Sequence, residues 1–227
     1  LNVSELEGPP EFWSYFDKIS KIPRCSTREG KIREFVKNEA ESFGYEAIID
    51  HSGNFIVRIP ARESAEDSRI VTLQCHLDMV CEKNEDVKHD FSEDALSLKL
   101  MNVEGDSWLT SDGTTLGADN GVGICYCLML MTRIHDGSLE LGNLSLELLF
   151  TVNEESGLVG AFGLESERIE GTRLINLDSE DDGTFIIGCA GGVNTRGKMT
   201  FKRDSIENWF DQSIPVQLMV RGLKGGH

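Results

Sequence analysis

Apolar residues recur at helical spacing from Glu11 to Ile22, at Phe12, Tyr15, Phe16, Ile19 and Ile22, and Pro23 ends the run. Ser26-Thr27-Arg28-Glu29 reads as a capping box, with Ser26 and Glu29 at the required offset. A second helix is expected to follow to about Phe43, carrying Ile32, Phe35, Val36 and Ala40 on one face and closed by Gly44. Beyond it the texture changes. Tyr45 to Asp50 and Phe55 to Ile59 read as a hairpin around Ser52-Gly53-Asn54. Ile70 to Cys75 is short and apolar, as a buried strand should be. Leu109 to Gly117 reads as a polar loop, and Gly121 to Met131, apolar nearly all round, as a buried helix. Leu144 to Val152, Arg173 to Leu177 and Thr184 to Gly188 read as further strands. Strands alternating with helices predict an α/β fold, a three-layer α/β/α sandwich with a mixed, largely parallel sheet. The pattern breaks at Cys189-Ala190-Gly191-Gly192; Val193 to Phe201 and Ile214 to Arg221 look like strands of something else. A first domain is therefore expected over 1–188, with 189–227 opening a second that stops in mid-pattern.

Composition narrows the partners. The chain carries 39 acidic against 22 basic residues, a formal net charge of −17. Such a chain is repelled by phosphate backbones and anionic membrane surfaces, so neither nucleic acid nor membrane is an expected partner. The longest apolar run falls far short of the roughly 20 residues that a membrane span requires. Leu1 to Pro10 is polar and acidic, unlike a signal peptide. The six cysteines form no C-x-x-C pair and are expected to be reduced thiols, with spacings wrong for zinc.

Polar clusters follow the ends of the expected strands. His76-Leu77-Asp78 comes directly after Ile70 to Cys75, and Asn153-Glu154-Glu155 after Leu144 to Val152. Gly117-Ala118-Asp119-Asn120-Gly121 precedes the buried helix, and Asp178 ends Arg173 to Leu177. Ligands of open α/β sheets bind at the carboxyl ends of strands, so these positions can share one crevice. One imidazole and several carboxylates suit zinc, manganese or cobalt. Two ions about 3.5–4 Å apart need a bridging carboxylate between them. Adjacent Glu154 and Glu155 point to opposite sides of an extended backbone, so one can bind metal while the other faces water. Asp78 is placed to fix the tautomer of His76. Each cluster taken singly is weak: an H-x-D, a Glu-Glu pair and an Asp-Asn-Gly are each more often a loop end, a solvated edge and a turn. Their joint placement carries the reading. His51 at a hairpin turn and His135 after the buried helix read as structural, His89 as a loop residue, and Cys75 as core.

His76-Leu77-Asp78, Gly113 to Gly121 (GTTLGADNG), Thr151 to Leu164 (TVNEESGLVGAFGL), Ile175 to Glu180 (INLDSE) and Gly222 to His227 (GLKGGH) together resemble the M20 metallopeptidases, aminoacyl-histidine dipeptidase (peptidase D) branch. The likeness runs from about Pro10 to the last residue. It implies a zinc-peptidase-like catalytic domain that hydrolyses dipeptides in the cytoplasm with two divalent ions, zinc first, cobalt or manganese as substitutes. It also implies roles. His76 and Asp178 would hold one metal, Asp119 would bridge, Glu155 would hold the second, Glu154 would be the general base, and Asp78 would orient His76. His227 would belong to a lid domain and reach the substrate in a partner's site, so a homodimer is implied for the full-length protein. The family's last histidine ligand has no counterpart here, so the sequence reads as the N-terminal part of the enzyme. M20-type deacylases and carboxypeptidases share these ligands, and an inactive metal-binding fragment stands as a further alternative.

Overall fold

The computed structural model describes residues 6–62, 69–181, 183–188, 191, 197–200, 216–217 and 219. The chain divides into two compact units, Leu1–Phe185 and Ile186–His227. The expected strands at Val193 to Phe201 and Ile214 to Arg221 lie largely outside the described residues, and His227 wholly so. No strand forms over 184–188, contrary to expectation. Phe185, Ile186 and Ile187 are exposed there, without the burial on which an apolar strand depends.

The first unit builds as its apolar periodicity requires. Helix α1 (Pro10–Ile19) buries Phe12, Tyr15, Phe16 and Ile19, and Pro10 stands in its first turn, where a missing N–H costs nothing. It stops before Ile22, and the Ser20 hydroxyl bonds back to the Phe16 carbonyl at its end. Helix α2 (Gly30–Ser42) buries Ile32, Val36 and Ala40. The expected capping box is absent: neither Ser26 nor Glu29 caps α2 through its side chain. The Ser26 hydroxyl goes to Asp78 instead, and Glu29 accepts from the backbone N–H of Thr27 and Asn153. An acceptor, Asp78, has taken the Ser26 hydroxyl, and backbone donors have taken the Glu29 carboxylate, the groups that a helix end would use.

Strands β1 (Glu46–Ile49) and β2 (Phe55–Ile59) form the expected hairpin. Strand β3 (Arg69–His76) carries the first polar cluster at its end. A two-stranded sheet follows, β4 (Leu98–Val103) paired antiparallel with β5 (Asp106–Ser111), so the expected loop at Leu109 begins inside a strand. Helix α3 spans Ala118–Asp136, with non-helical backbone at Asp119 and Asn120 and a cis peptide between them. His135 falls in its last turn, where the helix dipole favours a basic side chain. Strand β6 (Leu144–Thr151), a short helix α4 (Val159–Phe162), a 3-10 turn at Ser166–Arg168 and strand β7 (Arg173–Asn176) complete the unit.

The main sheet has the order β1-β2-β6-β3-β7. It is mixed: β1-β2 and β2-β6 run antiparallel, β6-β3 and β3-β7 parallel. Half of the pairings are therefore parallel, fewer than the sequence led us to expect. The parallel half brings the ends of β6, β3 and β7 side by side. One face of the sheet (Phe55, Val57, Ile59, Cys75, Leu146, Leu148, Phe150) shares a single apolar core with α1, α2 and α3. On the other face Glu147 and Thr72 are buried and bonded together, and Glu147 accepts the backbone N–H of Glu170 and Gly171. That face is covered by the segment after β6, a thinner layer than a row of long helices.

Two cysteines depart from the all-reduced expectation. Cys25 and Cys81 form a disulfide, with Cα atoms 5.7 Å apart. A bridge between Cys25 and Met79 lays their chain segments side by side, a proximity that sequence spacing does not reveal. Cys75, Cys125 and Cys127 are free thiols buried in the core.

Candidate metal centre

His76 is the last residue of β3 and is fully buried, while its ring reaches the polar end of the sheet. Its Nε2 lies 2.8 Å from Asp119 Oδ1, 3.6 Å from Asp178 Oδ1 and 3.9 Å from Glu154 Oε2. On the other side of the ring, Nδ1 lies 3.3 Å from Asp78 Oδ1. One imidazole is thus ringed by four carboxylates from three strand ends and the head of α3. One ligand atom each from His76, Asp119 and Glu155 lies within 4.8 Å of the others, the spacing at which one cation can be shared.

Each group is placed by a local device. Parallel pairing sets His76 opposite Thr151, so Glu154 and Glu155 follow β6 just beside it. Asn153 adopts a left-handed backbone conformation, turning the chain as it leaves the strand. Asp78 then closes the turn: its two oxygens accept the backbone N–H groups of Glu154 and Glu155 and the Ser26 hydroxyl. Asp119 sits in the non-helical head of α3, after left-handed Gly117. Asp178 follows β7, and Asn176 accepts its backbone N–H.

The electrostatics are those of a site waiting for positive charge. Burial works against a charged His76, but Asp119, Asp178 and Asp78 overcome it and push its pKa up to about 12. Burial also opposes ionisation of Asp78, yet His76, the Glu154 N–H and Ser26 hold its carboxyl down at about 2. Glu154 is pushed the other way, above the usual carboxylate range, by burial first and then by Asp178, Glu155 and Asp78, against the pull of His76. A divalent cation fits this donor set better than the proton does, since it would answer several carboxylates at once. His76, Asp119, Glu155 and Asp178 could hold it.

All six expected groups of the first unit therefore come together. His51 lies outside the cluster, against Glu165, His135 packs on Phe43, and His89 on Phe91. What the sequence reading missed is the connector from Arg24 to Glu29. Arg24 lies buried beneath the cluster, and Ser26 and Glu29 hold the loops after β3 and β6. An arginine among apolar neighbours just after Pro23 was the available signal.

A mixed α/β sheet with an imidazole-carboxylate cluster at its parallel strand ends is an arrangement able to hold a metal ion, and comparison with known proteins gives the family. Residues 54–202 match the model of Peptidase family M28, and the chain belongs to that family. It is 37% identical, over 99% of its own length and 44% of the relative's, to the cytosol non-specific dipeptidase of Escherichia coli. Among solved structures it matches the aminoacylhistidine dipeptidase of Vibrio alginolyticus, with a TM-score of 0.69, 37% identity and coverage of 81% of this chain and 35% of that one. A tripeptidase of Staphylococcus aureus shares the fold at a TM-score of 0.62 and 21% identity, over 76% of this chain and 44% of that one. The chain thus spans less than half the length of these relatives. The family model carries the M28 name where the motifs resembled M20; the two dipeptidase relatives agree with the branch that those motifs resembled. Among the described residues no helix is long and apolar enough to cross a membrane.

Proposed function

We propose that this chain forms the metal-bearing part of a cytoplasmic dipeptidase of the aminoacyl-histidine (M20, peptidase D) type. The observation that carries the reading is the convergence of His76, Asp119 and Glu155 within 4.8 Å, with Glu154 and Asp178 on the same imidazole nitrogen. In this reading His76 and Asp178 would hold one ion, Glu155 would hold a second, and Asp119 would be shared between them. The ions would be zinc, with cobalt or manganese as substitutes. When bound, they polarise the scissile carbonyl and acidify a water. The chain's own groups do the rest. Asp78 would fix the ring of His76 so that Nε2 stays turned toward Asp119 and Asp178. Glu154 takes a proton from the attacking water and passes it to the amine nitrogen as the peptide C–N bond breaks. Its raised pKa suits a group that must hold that proton between the two steps. The domain division at 188/189, a homodimer, and His227 as a lid residue acting in the partner's site belong to the same proposal.

The test is Glu154→Gln. Hydrolysis of an Xaa-His dipeptide should fall by about 10²–10⁴-fold while bound metal stays at its original stoichiometry. Undiminished hydrolysis would remove Glu154 from the mechanism. Faster turnover of N-acyl amino acids than of dipeptides would point to a deacylase.

A further inference from the structure

Arg24 is only 2% exposed, and the described hydrogen bonds of its guanidinium all go to backbone carbonyls. Nη1 donates to Leu77 O at 3.2 Å and Asp78 O at 3.1 Å, and Nη2 donates to Gly117 O. The first two carbonyls belong to the segment that leaves β3 just after His76 and includes Asp78, the third to Gly117 at the head of α3, two residues before Asp119. One rigid, planar fork therefore spans the two loops that must set His76 and Asp119 at a fixed separation. Among the described residues Nε is buried with no hydrogen-bond partner. A desolvated charge with an unsatisfied N–H is a costly way to fill space, and an apolar side chain would do that better.

The surroundings are cleared for this group. A Cβ on Gly117 would stand 2.5 Å from Nη2 and 2.7 Å from Met79 Sδ, and a Cβ on Gly121 2.8 Å from Nη2. Flanking residues grip the same loops. The Arg24 carbonyl accepts from Met79 N–H, Cys25 is bonded to Cys81, Ser26 donates to Asp78, and Glu29 accepts from Asn153 N–H just ahead of Glu154. The whole connector between α1 and α2 is a brace under three ligand loops.

We propose that Arg24 is a positioning residue that sets the separation of the His76 and Asp119 loops and so the affinity of the metal centre. The inference rests on the metal-site reading above. Lysine keeps the charge but has no fork to span both loops. Gly121→Ala keeps Arg24 and displaces its guanidinium.

The experiment measures zinc affinity by competition with a chromophoric chelator, in wild type, Arg24→Lys, Gly121→Ala and His76→Ala. Far-UV circular dichroism and urea unfolding of the metal-free proteins check the fold. Arg24→Lys should bind zinc about 10–100-fold more weakly and lower kcat, with KM for a dipeptide within about twofold. Gly121→Ala should move both quantities the same way by less. If Arg24→Lys does not fold, Gly121→Ala decides. Wild-type zinc affinity in the folded variants, beside a large loss in His76→Ala, would overturn the role of Arg24 alone. Wild-type affinity in His76→Ala as well would overturn the metal-site reading.

Discussion

Asp78 shows most plainly how single residues build the site. Its carboxylate is fully buried, yet it lies 3.3 Å from His76 Nδ1 and accepts the Ser26 hydroxyl and two backbone N–H groups. Asp78→Asn keeps the shape but puts an amide N–H toward groups that need an acceptor. Metal affinity is expected to fall about 10–100-fold, measured by chelator competition. The same residue has a pH signature. Its carboxyl is lowered from the ordinary 3.8 to about 2, so its stabilising effect is full above the ordinary value and is lost as pH falls through 2. Acid unfolding curves of wild type and Asp78→Asn should therefore differ above pH 4 and converge toward pH 2. The residue types of the candidate site were legible in the sequence because each follows a strand or opens a helix. The roles of Ser26 and Glu29 were misread, since their spacing suits a local cap and nothing local shows that Asp78 and Asn153 N–H compete for them. Arg24 stands out just after Pro23, but its role does not, for a related reason: its described side-chain partners lie more than fifty residues away, at Leu77, Asp78 and Gly117.

At the level of elements, close approach decides what the backbone tolerates. Gly123 of α3 faces β3, where an added Cβ would meet Asn120 Oδ1 at 2.3 Å and Cys75 Cβ at 2.7 Å. Alanine is favoured over glycine in a helix by about 1 kcal/mol, but overpacking costs about 1–3 kcal/mol. Gly123→Ala should therefore lower the urea midpoint or leave it flat; a clear rise would show that α3 and β3 are less tightly joined than described. The disulfide ties the α1–α2 connector to the loop after β3 across a sequence separation of 56. Opening it should cost about 2–4 kcal/mol, so a dithiol reductant should lower the unfolding midpoint of wild type and leave that of Cys25→Ser unmoved. Helices α1 and α2 were legible from buried residues at helical spacing, and β2 and β6 from nearly continuous apolar runs. The β4–β5 hairpin escaped notice because its residues are largely exposed and leave no alternation to read.

Over the whole molecule, negative charge dominates. A formal net charge of −17 is spread over 227 residues, and at the end of the sheet several carboxylates face one imidazole. A cation held by that cluster binds the native state more tightly than the unfolded chain, where the same groups are dispersed. Zinc at about 100-fold its dissociation constant should stabilise the fold by about 2.7 kcal/mol, and a chelator should reverse this, read as a shift in thermal midpoint. A midpoint indifferent to zinc would argue that the cluster holds no ion. Sheet order carries one more consequence. Strand β6 lies between β2 and β3, although the chain reaches it only after both. On the ribosome, at about 5–20 residues per second, the roughly 70 residues between His76 and Leu144 take about 4–14 s to be made. Through that interval β2 and β3 wait with bare edges for the strand that joins them. Nascent chains stalled before Leu144 should accordingly be cut readily by protease, and chains stalled well past Asn176 should resist.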